Sequence, residues 1–305
     1  MCIRDRIPAA LNGVFGIKPT FGRASRAGDG FKGSVAHCGP IAACSVDLAH
    51  ALDAFSSEVD PRDPITSWAP PPPRGGFGAR LGAGVRGLRI GLPVGEWEAA
   101  SPEVARLCRE ALRWLEREGA VVVDVAIPLA RDAAPIGYLT IGPESLAATL
   151  DHWTDPHQRA LLNDDLRLSL AVLSGITAAE QIDAQRLRAT LREQVAQALV
   201  EADVLVLPTT AITAPRYEEV DETRSFSDPM ALDGLCRFAF LGNLTGLPAG
   251  TAPVGFDGDG LPVGLQVMGD AWDEHVVLGV LAHLERGGVA RPRRPALAVD
   301  LLGEA

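Results

Sequence analysis

The sequence predicts an α/β fold with a mixed central sheet flanked by helices, and three segments carry that prediction. A strand, a helix and a second strand follow one another from Leu88 to Ile127. A long helical pattern opening at Thr177 runs straight into a continuous apolar strand, Asp203–Leu207. Two further strand patterns, Thr251–Phe256 and Pro262–Met268, flank Asp257-Gly258-Asp259-Gly260, a turn signal. A strand–helix–strand unit gives parallel strands with the helix packed on them, whereas a tight turn joins antiparallel ones. Both together make a mixed sheet.

The elements follow in order. The opening forty residues are dense in glycine, including Gly13, Gly16, Gly22, Gly28, Gly33 and Gly39, which suits irregular backbone and tight turns. From Ser45, the residues Val46, Ala49, Ala51, Leu52 and Phe55 recur at helical spacing, with Ser45 or Asp47 placed to cap the start. Asp60-Pro61-Arg62-Asp63-Pro64 ends that helix. Residues 69–84 form a Pro/Gly-rich loop that opens with four consecutive prolines, Pro70–Pro73, and suits either a domain boundary or a surface loop within one domain.

Leu88–Leu92 reads as a short buried strand. Ser101-Pro102-Glu103 then supplies a cap, a proline at the first helical position and an acid at the positive end of the helix dipole. Val104, Leu107, Cys108, Ala111 and Leu115 form one apolar stripe, and Gly119 stops the helix before the β-branched run Val121–Ile127. Thr177-Ala178-Ala179-Glu180 fits a capping box ahead of Ile182, Leu187, Leu191, Val195 and Leu199. A final helix carries Val276, Val277, Val280, Leu281 and Leu284 on one face and ends at Gly287.

Composition narrows the function. Of 305 residues, 47% are apolar and 22% charged, enough for a sizeable core. A net charge of −11 without clustered basic residues argues against nucleic acid. No apolar stretch reaches the ~18 residues that cross a bilayer, so no membrane partner is expected. The cysteines Cys2, Cys38, Cys44, Cys108 and Cys236 are scattered and odd in number, which suits free thiols in the cytoplasm. The histidines lack metal-ligand spacing, and no cofactor is expected.

Two apparent motifs fail on context. Gly82-Ala83-Gly84-Val85-Arg86-Gly87 matches a dinucleotide fingerprint, but it precedes a strand where that motif must follow one. Ser34, His37 and Asp47 are the residue types of a hydrolytic triad, yet no nucleophile elbow presents Ser34.

The informative stretch is Arg6-Ile7-Pro8-Ala9-Ala10-Leu11-Asn12-Gly13-Val14-Phe15-Gly16-Ile17-Lys18-Pro19-Thr20-Phe21-Gly22-Arg23. Further blocks follow in order: His37-Cys38-Gly39-Pro40, Ser45–Ala49, Asp60–Pro64, Ala202–Thr210, Asn243–Pro248, Gly260–Gly269 and Asp273-Glu274. This ordered set resembles the amidase-signature family, beginning just after that family's nucleophile. The resemblance implies an amidase-signature α/β/α layering, N-terminally truncated. It also implies hydrolysis of a small-molecule amide by a serine, a second serine in a cis peptide and a lysine, without metal or organic cofactor. A serine hydroxyl is a poor nucleophile until a base takes its proton, and here the lysine would do so through the bridging serine.

The sequence departs from the family at its start. The family pattern is Gly-Gly-Ser-x-Arg-x-Pro-Ala, so with Arg6 as the arginine, Arg4 holds the nucleophile's place and Cys2-Ile3 replace the glycines. Residues 1–5 are therefore expected to be a non-native scar, and 6–305 the C-terminal two-thirds of the domain. No catalytic residue is expected in the chain, which should be inactive. The rival readings are the A subunit of a glutamine-dependent tRNA amidotransferase, with partner subunits, and a degenerate scaffold. Substrate contacts and oligomeric state are unspecified, although Leu129–Leu173, with Tyr138 and Trp153, fits either a substrate funnel or packed surface helices. Two structural expectations complete the reading. Arg6 and Asp47 should meet, at least one of them buried, and loss of the N-terminal third should uncover Ile7, Leu11, Val14, Phe15 and Ile17.

Overall fold

A computed structural model of the chain describes residues 5–28, 33–56, 58–216 and 228–294. In chain order its strands are β1 (Phe15–Lys18), β2 (Ile41–Ala42), β3 (Arg89–Pro93), β4 (Val121–Val125), β5 (Val204–Pro208), β6 (Ala249–Phe256) and β7 (Pro262–Gly269). Among the described residues they form one sheet in the order β2-β1-β6-β7-β5-β3-β4. Strands β3, β4 and β5 pair parallel, while β5–β7, β6–β7, β1–β6 and β1–β2 are antiparallel. The mixed sheet is as expected from the two kinds of connection.

The helices are α1 (Arg6–Leu11), α2 (Ser45–Ser56), α3 (Pro102–Arg117), α4 (Ala133–Ala148), α5 (Leu150–Thr154), α6 (Pro156–Ala160), α7 (Asp164–Leu173), α8 (Ala178–Glu201), α9 (Pro229–Cys236), α10 (Ala239–Thr245) and α11 (Glu274–Arg286). Alternation along β6 shows how the sheet is covered. A Cβ on Gly250 would meet Val277 and Leu281 of α11, whereas one on Gly264 of β7 would meet Ala10 of α1 and the hydroxyls of Thr209 and Thr251. Helices α1 and α11 thus lie on opposite faces of the β6–β7 pair, as period-2 side-chain direction requires.

The capping box at Thr177 forms in full. The Glu180 N–H donates to Thr177 Oγ1 at 3.2 Å, and the Thr177 N–H donates back to Glu180 Oε2 at 2.8 Å. Gly119 ends α3 with φ +97, a conformation glycine adopts without steric cost. Ser101 stands at the N-cap of α3 without a side-chain cap; its backbone N–H instead donates to Ala211 O at 2.8 Å, tying the helix start to the end of β5.

Two apolar stripes shift from their expected residues. Val46 and Phe55 of α2 are exposed, and Leu48, Ala49 and Leu52 are buried. In α8, Ile182 and Leu187 are exposed, while Ala184, Leu191, Val195 and Ala198 are buried against α4, α10 and the sheet. Periodicity gives a helix; which arc faces inward depends on the neighbours.

The uncovering of the first segment is not observed. Ile7, Phe15 and Ile17 are buried and Leu11 and Val14 half-buried. Their partners lie in this chain: β1 is paired on both sides, by β2 and β6, and α1 packs on β6 and β7. Residues 69–84 rest on the same core. Phe77 is fully buried, its N–H donating to Asp53 Oδ1 at 2.9 Å, and Arg23 donates to Pro70 O.

Candidate active site

The site centres on the start of α1, where Arg6 is fully buried. Its guanidinium donates to Gln266 Oε1 of β7 and Asn243 Oδ1 of α10, and at 3.0 Å to Ala239 O. Nε lies 3.4 Å from Asp5 Oδ1, which also accepts from the Arg6 N–H at 2.7 Å and so caps α1. Asp5, expected from sequence to be part of a scar, is 2% exposed. Arg4, Cys2 and Ile3 lie outside the described residues.

Each partner is held in turn. Gln266 Nε2 donates to Phe238 O at 3.3 Å, and Asn243 Nδ2 donates to Val35 O at 2.8 Å. A planar fork of donors suits three acceptors converging from β7 and α10, which a lysine could not match. Gly242 makes room: a Cβ there would stand 3.0 Å from Arg6 Nη1. The expected Arg6–Asp47 contact does not form. Asp47 is exposed near the start of α2, and the counter-charge of Arg6 is Asp5. Burial of at least one of Arg6 and Asp47 was legible, because these charges sat within apolar and glycine-rich blocks; the acceptors in α10 and β7 were 233 to 260 positions away.

A second buried set lies beside it. Lys18 is fully buried, with Nζ donating to Pro19 O at 2.9 Å. Burial, then the charge of Arg6, pushes its amine well below the usual lysine range, against the pull of Asp5 and Glu274. Glu274 is also fully buried. It accepts from the Thr20 N–H at 2.8 Å and lies 3.6 Å from Arg23 Nε. Arg23 stacks on Trp272 and Phe77, 4.9 and 5.3 Å from the ring centroids. Trp272 adopts φ +71, strained for a bulky residue, and its N–H donates to Thr20 Oγ1 at 2.9 Å. Thr209 and Thr251 share a hydrogen bond of 2.5 Å across the sheet. Sequence reasoning misses Gln266, Asn243, Lys18, Thr209 and Glu274 as members of this region. All five lie in the blocks that carry the resemblance, but those blocks assign them no contact.

Ser34, His37 and Asp47 do not form a triad. Ser34 Oγ accepts from Arg188 Nη1 at 2.6 Å, and His37 Nδ1 lies 2.9 Å from Val35 O with its ring edge-on to Phe21. Gly82–Gly87 leads into β3, and no helix N-terminus follows it. Among the described residues, no group of three or more His, Cys, Asp or Glu could hold a metal ion. No helix there is long and apolar enough to cross a membrane.

The family model described as Amidase matches residues 6–278. The chain belongs to the amidase family. It is 35% identical over 304 residues to a fatty acid amide hydrolase of Medicago truncatula, covering 98% of this chain and 49% of that relative. It is 34% identical over 307 residues to the glutamyl-tRNA(Gln) amidotransferase A subunit of Myxococcus xanthus strain DK1622, covering 92% of this chain and 61% of the relative. Among solved structures, a bacterial aryl acylamidase of the amidase-signature family superposes with TM-score 0.77 at 25% identity, over 92% of this chain and 59% of the other. The glutamyl-tRNA(Gln) amidotransferase A subunit of Thermotoga maritima does so with TM-score 0.74 at 27% identity, over 94% and 63%. This amidase-family chain therefore spans about half to three-fifths of the length of the relatives it matches in sequence.

The amidase fold also divides residues 129–173. Helix α4 is largely buried, Tyr138 standing edge-on to Phe240 with centroids 5.0 Å apart. Helices α5 and α6 bury no residue, and α7 buries Leu170 alone.

Proposed function

We propose that the protein to which these residues belong hydrolyses the C–N bond of linear carboxamides in the cytoplasm. The proposed mechanism uses a serine nucleophile activated by a lysine through a cis-serine. The observation that supports this reading most is the Arg6 fork. It anchors the segment that directly follows the family's nucleophile position to α10 and β7. Preorganisation of this kind is what a nucleophile needs, because misplacement by 1 Å costs about 100-fold in rate.

The 305 residues as they stand are proposed to be inactive. Arg4 occupies the nucleophile position, and neither the lysine nor the cis-serine has a counterpart in the sequence. Removing a serine hydrolase's triad lowers kcat by about 10⁶. The test is an assay of the purified chain on an aryl amide and the matching ester, with a fluorophosphonate label. We expect neither turnover nor labelling; turnover abolished by the label would overturn the proposal.

The 34% identity to an amidotransferase A subunit supports a second reading, in which the protein releases ammonia from glutamine within a complex. Stable co-purification with partner subunits from the source cell would favour it; elution as an unaccompanied chain would favour the amidase.

A further inference from the structure

Helix α8 places Arg188 and Arg192 one turn apart on the wall of a cleft of about 480 Å³, whose other walls include Ser34, Phe21 and Trp68. Arg188 is anchored: Nε donates to Leu244 O at 2.8 Å, Nη1 to Ser34 Oγ at 2.6 Å and Nη2 to Ser34 O at 3.1 Å. Arg192 is exposed and makes no hydrogen bond or ion pair among the described residues. Glu144 stands at the same place: its Oε1 accepts from the Ser34 N–H at 2.9 Å, its Oε2 is buried without a hydrogen-bond partner, and its charge favours the Arg188 cation.

Like charges four residues apart on a helix repel each other. Burial and then the charge of Arg192 both disfavour the Arg188 cation. In a chain of net charge −11, Arg192, without a carboxylate partner among the described residues, is an unmet demand for an anion. Trp68, which also lines the cleft, ends a short 3-10 turn, Pro64–Trp68, and is 67% exposed, an unusual position for so large an apolar ring. Phe21, also on the cleft, is fixed by its N–H, which donates to Gly246 O at 2.8 Å, and its ring already carries Arg26, 4.7 Å from the centroid. Arginines and an exposed tryptophan lining one cleft match a flat ring that carries a carboxylate.

We infer that this cleft is a binding subsite for a small aromatic carboxylate, its anion on Arg192 and Arg188 and its ring against Trp68. The inference stands apart from amide hydrolysis, since binding requires no reaction. The test is calorimetric titration of the 305-residue chain with 2-naphthoate and with its neutral isostere 2-naphthamide. Naphthoate is expected to saturate one site, with naphthamide weaker by about tenfold or more, the worth of one charge-assisted hydrogen bond. Arg192→Gln and Trp68→Ala, both on the surface, should each weaken naphthoate by a similar factor, while Arg113→Gln, an exposed arginine on α3, should leave it unchanged. Absence of saturable binding, equal affinity for the neutral amide, or equal losses in Arg192→Gln and Arg113→Gln would overturn the inference.

Discussion

Arg6 shows what a single buried charge demands. Its burial is tolerable because Asp5 supplies the counter-charge and Gln266, Asn243 and Ala239 O accept its remaining donors. Arg6→Ala should cost about 3–5 kcal/mol, because it leaves Asp5 buried and unpaired and strips β7 and α10 of a shared donor. Arg6→Lys should recover only part, since an ammonium cannot fork. Urea unfolding curves check both, with an unchanged slope and a lower midpoint expected. His37 makes a pH prediction at the same scale. Its Nε2 is buried without a partner, and burial, followed by the charge of Lys18, holds its pKa well below the usual histidine value. The folded state then binds fewer protons than the unfolded one, in which histidine titrates near 6.5. Stability is complete above about pH 6.5 and falls as the pH drops below it. The unfolding midpoint should fall between pH 7.5 and pH 5.5, and by less in His37→Gln. His283, lowered mainly by burial as well, keeps its share in both chains. An identical fall in both would show that His37 does not titrate in this way.

Among the elements, α4 and α10 meet at a glycine. A Cβ on Gly137 would stand 2.1 Å from Phe240 Cδ1, so the two helices touch only because that atom is missing. Helix propensity alone favours Gly137→Ala by about 1 kcal/mol. Forcing Phe240 aside costs about 1–3 kcal/mol, so net destabilisation is expected, and a raised melting temperature would contradict the packing. At the head of α8 the capping box is exposed and local, so Thr177→Ala should cost about 1 kcal/mol. The two sites differ in legibility for one reason. The Thr177–Glu180 box spans three residues and could be read directly, whereas the Gly137–Phe240 contact joins residues about a hundred positions apart.

Across the whole molecule, protection from hydrogen exchange should follow the sheet order. Strand β1 is fully buried and paired on both sides, so amides of residues 15–18 should exchange as slowly as those of β6 and β7. Helices α5 and α6, which bury no residue, should exchange fastest among the helices. Rapid exchange in β1 would restore the expectation that its apolar residues lack partners within this chain.

The β3–α3–β4 unit, the run from α8 into β5, the β6–β7 hairpin, the capping box, the breaks at Asp60–Pro64 and Gly119, and the resemblance carried by Arg6–Arg23 were determined by the sequence alone, whereas α1 and β1 formed where it suggested irregular backbone. These features depend on residues within a few turns of each other, where periodicity, proline and glycine act directly. Only the tertiary structure decided that Arg6 meets Gln266 and Asn243 and leaves Asp47 in solvent. It likewise decided that α8 buries Leu191 and Val195 while exposing Ile182, and that β1 finds its place between β2 and β6. Those outcomes depend on which distant surfaces exclude water together, and composition and spacing carry no record of that choice.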